Sequence, residues 1–249
     1  MQPDAWQFLQ NYTPARIARG RAGHSILTRE LLKFQADHAQ ARDAVYSELD
    51  IKKLNESISG VFDLQVFNVK SEILNRSQYL QRPDFGRILS QLSRDELTKV
   101  SSSASDICFV ITEGLSAEAI NQNAFPILVN LIPKLTEFNW KIAPICIVEQ
   151  GRVAIADEIG FLLKSEIVII LIGERPGLTS PNSMGAYITF RPHVGMTDES
   201  RNCVSNIRPE GMNFQMATDK IIYLLIEMKL KKISGVNLKD ESNKSSLLY

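Results

Sequence analysis

Apolar residues fall along this chain in two rhythms, and the places where one gives way to the other predict its elements. From Ile167 to Ile172, IVIILI, every residue is apolar and most are β-branched. That is the pattern of a strand covered on both faces of a parallel sheet. Two further runs share it, Asp106 to Thr112 (DICFVIT) and Ile142 to Val148 (IAPICIV). Between these strands the period lengthens. Ser116 is placed to cap a helix whose first turn carries Glu118, where a carboxylate complements the helix dipole. Val153 to Leu163 then sets Ile155, Ile159, Leu162 and Leu163 on one helical face. Strands alternating with helices predict βαβ crossovers and an α/β fold, a Rossmann-like, mainly parallel sheet with helices on both faces. Ala186 to Phe190 predicts an edge strand. A last amphipathic helix starts near Asn213, turns Ala217, Ile221, Leu224, Leu225 and Met228 inward, carries Lys229, Lys231 and Lys232 near its end, and stops at Gly235.

The chain before residue 101 reads differently, as a largely helical N-terminal segment. Arg16, Arg19 and Arg21, with Gly20 and Gly23, form a basic, flexible stretch ahead of a helix that Thr28 is placed to cap. In that helix Leu31, Phe34, His38, Ala41 and Val45 recur at helical spacing, which makes a face in need of a cover. His38 on that face reads as a packing histidine. Phe62 to Val69 alternates enough for a short strand, YLQRPDFGR at 79–87 reads as a turn that starts another helix, and the serine-rich run at 101–105 marks a boundary. The organisation expected is 1–100, 101–240 and a solvated polar tail at 241–249.

Composition narrows the function classes. A chain of 249 residues with 44% hydrophobic content can bury a substantial core. Lys plus Arg balance Asp plus Glu at 28 each, so the basic footprint of a nucleic-acid binder is missing. No apolar stretch has the length of a membrane span, and MQPDAWQFLQ has no signal-peptide pattern, so a soluble, intracellular protein is expected. Cys108, Cys146 and Cys203 are widely spaced and fit neither a disulfide framework nor a zinc site.

Catalytic motifs are mostly absent. GLSAE at 114–118 has the setting of a nucleophile elbow, but Glu118 stands where G-x-S-x-G needs its second glycine. His24, His38 and His193 complete no convincing triad with Ser116. There is no G-x-G-x-x-G and no P-loop, and Asp37-His38 does not match the D-x-H-x-x-G of cobalamin proteins whose histidine binds cobalt. The distinctive polar residues lie where loops should follow strands: Arg152 with Val153, Glu174 with Arg175 in GERPG, and the run Arg201 to Glu210, RNCVSNIRPE. Ligands of open α/β sheets bind outside the carboxyl ends of strands, so these loops are expected to converge on one ligand. In GERPG, Pro-Gly suits the middle of a type II turn.

GRAGHSILTRELLKFQADHAQARDAV, YLQRPDFGR, ITEGLSAEAI, GRVAIADEIG, GERPGL and RNCVSNIRPEGM together resemble blocks of the small (light) subunit of ethanolamine ammonia-lyase, from about Arg16 to Asp240. The resemblance implies a hetero-oligomeric lyase. With adenosylcobalamin (coenzyme B12) as cofactor it converts ethanolamine to acetaldehyde and ammonia by a radical route. In that family a large (heavy) barrel subunit binds the substrate and the small subunit helps grip cobalamin, whose own base stays on cobalt. Carried over by motif, the cofactor-binding positions are Val153 of GRV, Glu174 of GERPG and Cys203 of RNC, with no catalytic residue and no metal ligand on this chain. The resemblance makes 101–240 the cobalamin-binding domain and gives 1–100 to subunit contacts. In roles to match, Val153 offers a backbone donor or apolar contact, Glu174 accepts hydrogen bonds with Arg175 holding it, and Cys203 lies soft against the macrocycle. The expected setting is the bacterial cytoplasm, with residence in a bacterial microcompartment left open by a short stretch before Arg16. Two other readings stand beside this one: a stand-alone α/β hydrolase using Ser116, and a non-catalytic binding module.

Overall fold

The computed structural model describes residues 4–13, 15–100 and 103–241. In chain order the strands and helices are β1 (Arg21–Ala22), β2 (Ser25–Ile26), α1 (Thr28–Tyr46), α2 (Ile51–Ser59), β3 (Val66–Lys70), α3 (Arg76–Gln81), α4 (Gln91–Lys99), β4 (Ser105–Thr112), α5 (Ala117–Glu137), β5 (Ile145–Glu149), α6 (Ile155–Leu162), β6 (Ser165–Gly173), β7 (Met184–Phe190), β8 (Arg201–Ile207) and α7 (Phe214–Lys231). β1 and β2 make a small hairpin, and the other strands form one six-stranded sheet in the order β3-β5-β4-β6-β7-β8.

The apolar run that stood out in the sequence is β6, one of the two middle strands. Its lack of alternation follows from burial on both sides. Ile167, Ile169 and Leu171 join one core with α2, α5 and α7, and Val168, Ile170 and Ile172 join a second with α4 and α6. β3, β5, β4 and β6 are parallel, whereas β7 and β8 are antiparallel additions. The sheet is therefore mixed, and more of it is antiparallel than the expected edge strand implied.

Several local expectations change. The run RNCVSNIRPE is not a loop: its first residues form the edge strand β8, and AYITF lies one place inward as part of β7. The reason is partial burial. Only Arg201, Val204 and Ile207 of β8 are buried, so the strand carries almost no apolar alternation to read. Arg201 itself is held by Asp157 at 2.5 Å, both side chains 2% exposed, a pair that fastens β8 to α6. Thr28 does not cap α1; the cap position is Leu27 and no side chain bonds there. YLQRPDFGR holds the end of α3 and a single 3-10 turn at Phe85–Arg87 instead of a helix start, and Ser90 caps α4. Lys232, in the left-handed region at φ 57°, ends α7 ahead of Gly235. Gly177 lacks the positive φ of a type II turn; the chain turns between Gly177 and Ser180, which exchange hydrogen bonds of 3.1 and 3.2 Å. Residues 101 and 102 of the serine run and 242–249 of the tail lie outside the described residues.

The N-terminal segment does not cover the face it was expected to need covered. Leu31, Phe34 and His38 are exposed, and Ala44 is the buried residue of α1. Arg16 bonds Asp37 at 2.6 Å and Arg19 bonds Glu30 at 2.5 Å, so the basic stretch folds back on α1 through ion pairs. Beyond α1, Ser47 Oγ accepts from Glu118 N at 3.0 Å and Asp50 N donates to Asn121 Oδ1 at 3.0 Å, fixing the segment to the start of α5.

Candidate functional site

The loops that leave β4, β5 and β6 meet at one end of the sheet. Ser116 caps α5 as expected, its Oγ accepting from Ala119 N at 3.2 Å. Gly114, just before it, has φ 56°, and a Cβ there would stand 2.3 Å from Gly173 O. A Cβ on Gly173 would stand 2.1 Å from Ser116 O. The exits of β4 and β6 thus touch backbone to backbone, and only glycine permits it. Leu115 N donates to Gly173 O at 2.9 Å, which fixes Leu115 beside the β6 exit.

Below these loops lies a layer of buried polar groups. Gln150 N donates to Glu113 Oε1 at 2.8 Å, Thr112 Oγ1 donates to Glu113 Oε2 at 3.0 Å, and Gly151 N donates to Thr112 Oγ1 at 3.0 Å. Burial raises the Glu113 carboxyl above its ordinary value, because little solvent remains to stabilise its charge. Arg76 spans three segments: Nε to Val45 O at 2.8 Å, and Nη1 to Gly114 O at 2.8 Å and Gln150 Oε1 at 3.4 Å. Its guanidinium lies 4.6 Å from the Tyr79 ring centroid, and that of Arg152 lies 3.9 Å from it. Tyr79 is fully buried, donates its hydroxyl to Gly151 O at 3.1 Å, and is pushed up to about 12 by burial.

Above the layer is a crevice of about 410 Å³ lined by Tyr79, Leu115, Arg152, Val153, Ile172, Gly173, Glu174, Arg175 and Tyr187. It sits at the carboxyl ends of β4, β5 and β6, where the sheet's crossovers pass to α5 on one face and α6 on the other. Val153 and Glu174 therefore line the same crevice, whose walls are the loops that follow the strands. Val153 stands in the turn ahead of α6, two residues short of its first residue. Glu174 is held by Ser183 Oγ, which donates to Oε2 at 2.5 Å, and by Asn206 N at 3.3 Å. Gly185 leaves room for it, since a Cβ there would stand 2.9 Å from Glu174 Oε1. The expected support from Arg175 is replaced by these two donors; the Arg175 side chain is exposed.

Cys203 is not on the crevice wall. It is exposed on β8 and paired across the strands with Tyr187. Tyr187 is the wall residue between Cys203 and the crevice. Tyr79, Arg76, Leu115 and Tyr187 escaped the sequence reading, although Tyr79, Arg76 and Leu115 fall in or beside quoted motifs. Tyr187 had no signal beyond an apolar run.

Nothing in the crevice is arranged as a nucleophile with its base. Ser116 cannot serve, because its hydroxyl is fully buried, accepts from Ala119 N and donates to Pro181 O at 2.9 Å. That removes the stand-alone hydrolase. Among the described residues no group of three or more His, Cys, Asp or Glu is placed to hold a metal ion. A second cavity, about 440 Å³ beside Asp157 and Glu158, has both carboxylates committed: Asp157 to Arg201, and Glu158 to Arg94 at 2.5 Å and Leu89 N at 2.9 Å.

The ethanolamine ammonia-lyase light chain (EutC) family model matches residues 3–239. Proteins named ethanolamine ammonia-lyase small subunit are similar over almost the whole chain. That of Azotobacter vinelandii is 46% identical over 245 residues, 97% of this chain and 90% of its own length. Those of Pseudomonas putida and Xanthomonas campestris pv. campestris are 46% identical over 242 and 247 residues, covering 95% and 98% of this chain and 88% and 90% of their own lengths.

Proposed function

This chain belongs to the ethanolamine ammonia-lyase light-chain family and is a lyase subunit, and from that premise we propose that its crevice grips one edge of adenosylcobalamin while a large subunit binds ethanolamine. The observation that carries this is the meeting of Val153 and Glu174 in one crevice at the carboxyl ends of parallel strands.

The residues fit that cofactor chemically. A corrin is a broad apolar ring edged with carboxamides, each offering one acceptor and two donor hydrogens. Leu115, Ile172, Val153 and the rings of Tyr79 and Tyr187 give an apolar shelf. Glu174, already fixed by Ser183 and Asn206, accepts from an amide N–H, and the arginines supply donors. One of those donors, Arg152 Nε on the crevice wall, is buried without a partner, a costly state that a bound acceptor relieves. Cys203, paired across the strands with Tyr187 on the crevice wall, contributes through that neighbour more than by direct contact.

Size argues for a shared site. Ligand pockets run from about 300 to 1,000 Å³, and 410 Å³ is near the small end. Such a crevice takes an edge of the macrocycle, leaving a second surface to cover the rest. We read the N-terminal segment as the part that meets the larger partner implied by the small-subunit name, because Leu31, Leu32 and Phe34 of α1 are 39%, 60% and 41% exposed on it. The family kinship supports reading the parallel strands with helices on both faces as a Rossmann-like domain. No helix among the described residues is long and apolar enough to cross a membrane, in keeping with work in the bacterial cytoplasm.

When bound, adenosylcobalamin supplies the radical chemistry of the deamination. This chain's residues bind and orient it and keep water from its edge. Equilibrium dialysis of cobalamin against this chain, the large subunit and their complex tests the reading. Tight retention by the complex and weak retention by either chain alone is expected; equal retention by the large subunit alone would remove this crevice from the site.

A further inference from the structure

Half of the arginines among the described residues have an acidic partner: Arg16, Arg19, Arg29, Arg82, Arg94, Arg201 and Arg208 pair with carboxylates. The two on the crevice wall differ. Among the described residues neither Arg152 nor Arg175 forms an ion pair, although both line the crevice that holds Glu174. Ser183 and Asn206 already serve Glu174, so neither guanidinium is needed there.

Arg152 is nevertheless built in with care. Its backbone N donates to Gly86 O at 2.7 Å, its Nη2 donates to Tyr79 O at 2.8 Å, and its guanidinium stacks on the Tyr79 ring at 3.9 Å. A Cβ on Gly86 would stand 2.7 Å from Arg152 Cγ, so the glycine makes room for the side chain. All this leaves Nε buried and without a partner. A guanidinium positioned on three sides with donors unspent is arranged for an acceptor that the chain does not itself supply. Arg175, exposed at the lip of the same wall, can close on that acceptor from the other side.

We propose that Arg152 and Arg175 are cofactor-contacting residues beyond Val153, Glu174 and Cys203, and that together they hold an acceptor oxygen on the rim of the cobalamin. The inference rests on the cofactor reading above. Two rim groups carry such an oxygen, a carboxamide carbonyl of the corrin and the phosphate of the nucleotide loop. Both accept from a guanidinium fork; lysine in place of Arg152 would keep the charge and lose the fork.

The test uses the complex with the large subunit and reads binding, not turnover. Wild type, Arg175→Gln and Arg152→Lys are titrated by equilibrium dialysis with hydroxocobalamin and with dicyanocobinamide, which keeps the carboxamides and lacks the nucleotide. Each variant is expected to bind hydroxocobalamin about tenfold more weakly. An equal loss toward cobinamide assigns the carbonyl, and a loss confined to cobalamin assigns the phosphate. The Arg175 side chain is exposed, so Arg175→Gln should leave the thermal midpoint of the cobalamin-free complex unchanged and decides the matter even if Arg152→Lys loosens the fold. Wild-type affinity in Arg175→Gln overturns the proposal while leaving the cofactor reading standing. Absence of binding by the wild-type complex removes both.

Discussion

α1 and α7 are nearly the same length, 19 and 18 residues, and both carry apolar side chains at helical spacing, yet they meet opposite fates. α7 buries Ala217, Ile221, Leu224, Leu225 and Met228 against the sheet. α1 buries Ala44 and leaves Leu31, Leu32 and Phe34 in the open. Periodicity says that a face wants a cover; it does not say which molecule provides it. α7 satisfies its face within the chain, so that face belongs to the fold. The face of α1 stays available, which suits a protein that works as one subunit of a larger enzyme. Arg76 joins α1 to the crevice, tying Val45 at the end of α1 to Gly114 and Gln150 beneath it.

That contrast can be broken most forcefully at Leu225. It is fully buried, and Leu225→Ala should cost about 2–5 kcal/mol of unfolding free energy in a denaturant titration of the isolated chain. Leu32→Asp, on α1, should change the same quantity by less than about 1 kcal/mol. Its effect should fall on assembly, weakening association with the large subunit by about tenfold or more, measured by analytical ultracentrifugation. If Leu32→Asp unfolded the isolated chain or assembled normally, α1 would be a structural helix like α7.

On the crevice wall, Glu174→Gln should lower cobalamin affinity of the complex by up to about tenfold in the same dialysis measurement, with assembly intact. Unchanged affinity would take Glu174 out of the site. The smallest effect is expected at Glu113. Burial raises its carboxyl above the ordinary 4.5, so the fold favours the protonated form. Its contribution to stability is complete below the ordinary carboxylate range and is lost as pH rises through the raised value. Glu113→Gln, which stays neutral, should therefore gain on wild type in thermal midpoint as pH is taken upward across that window, and a parallel pair of curves would refute the assignment.

Much of this was legible in the sequence because burial on both faces leaves a plain mark. β4, β5 and β6 read as apolar runs, the cap of α5 by Ser116 was visible as a residue type, and α7 was legible as a helix starting near Asn213. β8 was not legible, because an edge strand with Arg201, Val204 and Ile207 buried looks like a polar loop. Its misreading moved Cys203 from a loop beside the ligand to a strand behind Tyr187. Arg76 and Tyr79 were hidden for another reason: their importance lies in contacts with Val45, Gly114 and Gly151, all distant in the chain, and no local pattern records those.

The central claim is that this chain is an obligatory, cofactor-gripping subunit with no catalytic machinery of its own. Acetaldehyde formation from ethanolamine, with adenosylcobalamin present, measured for this chain alone, the large subunit alone and the two mixed, tests it most directly. Activity confined to the mixture is the result the account predicts. Full activity from the large subunit alone, or none from a mixture whose subunits demonstrably assemble, would contradict it.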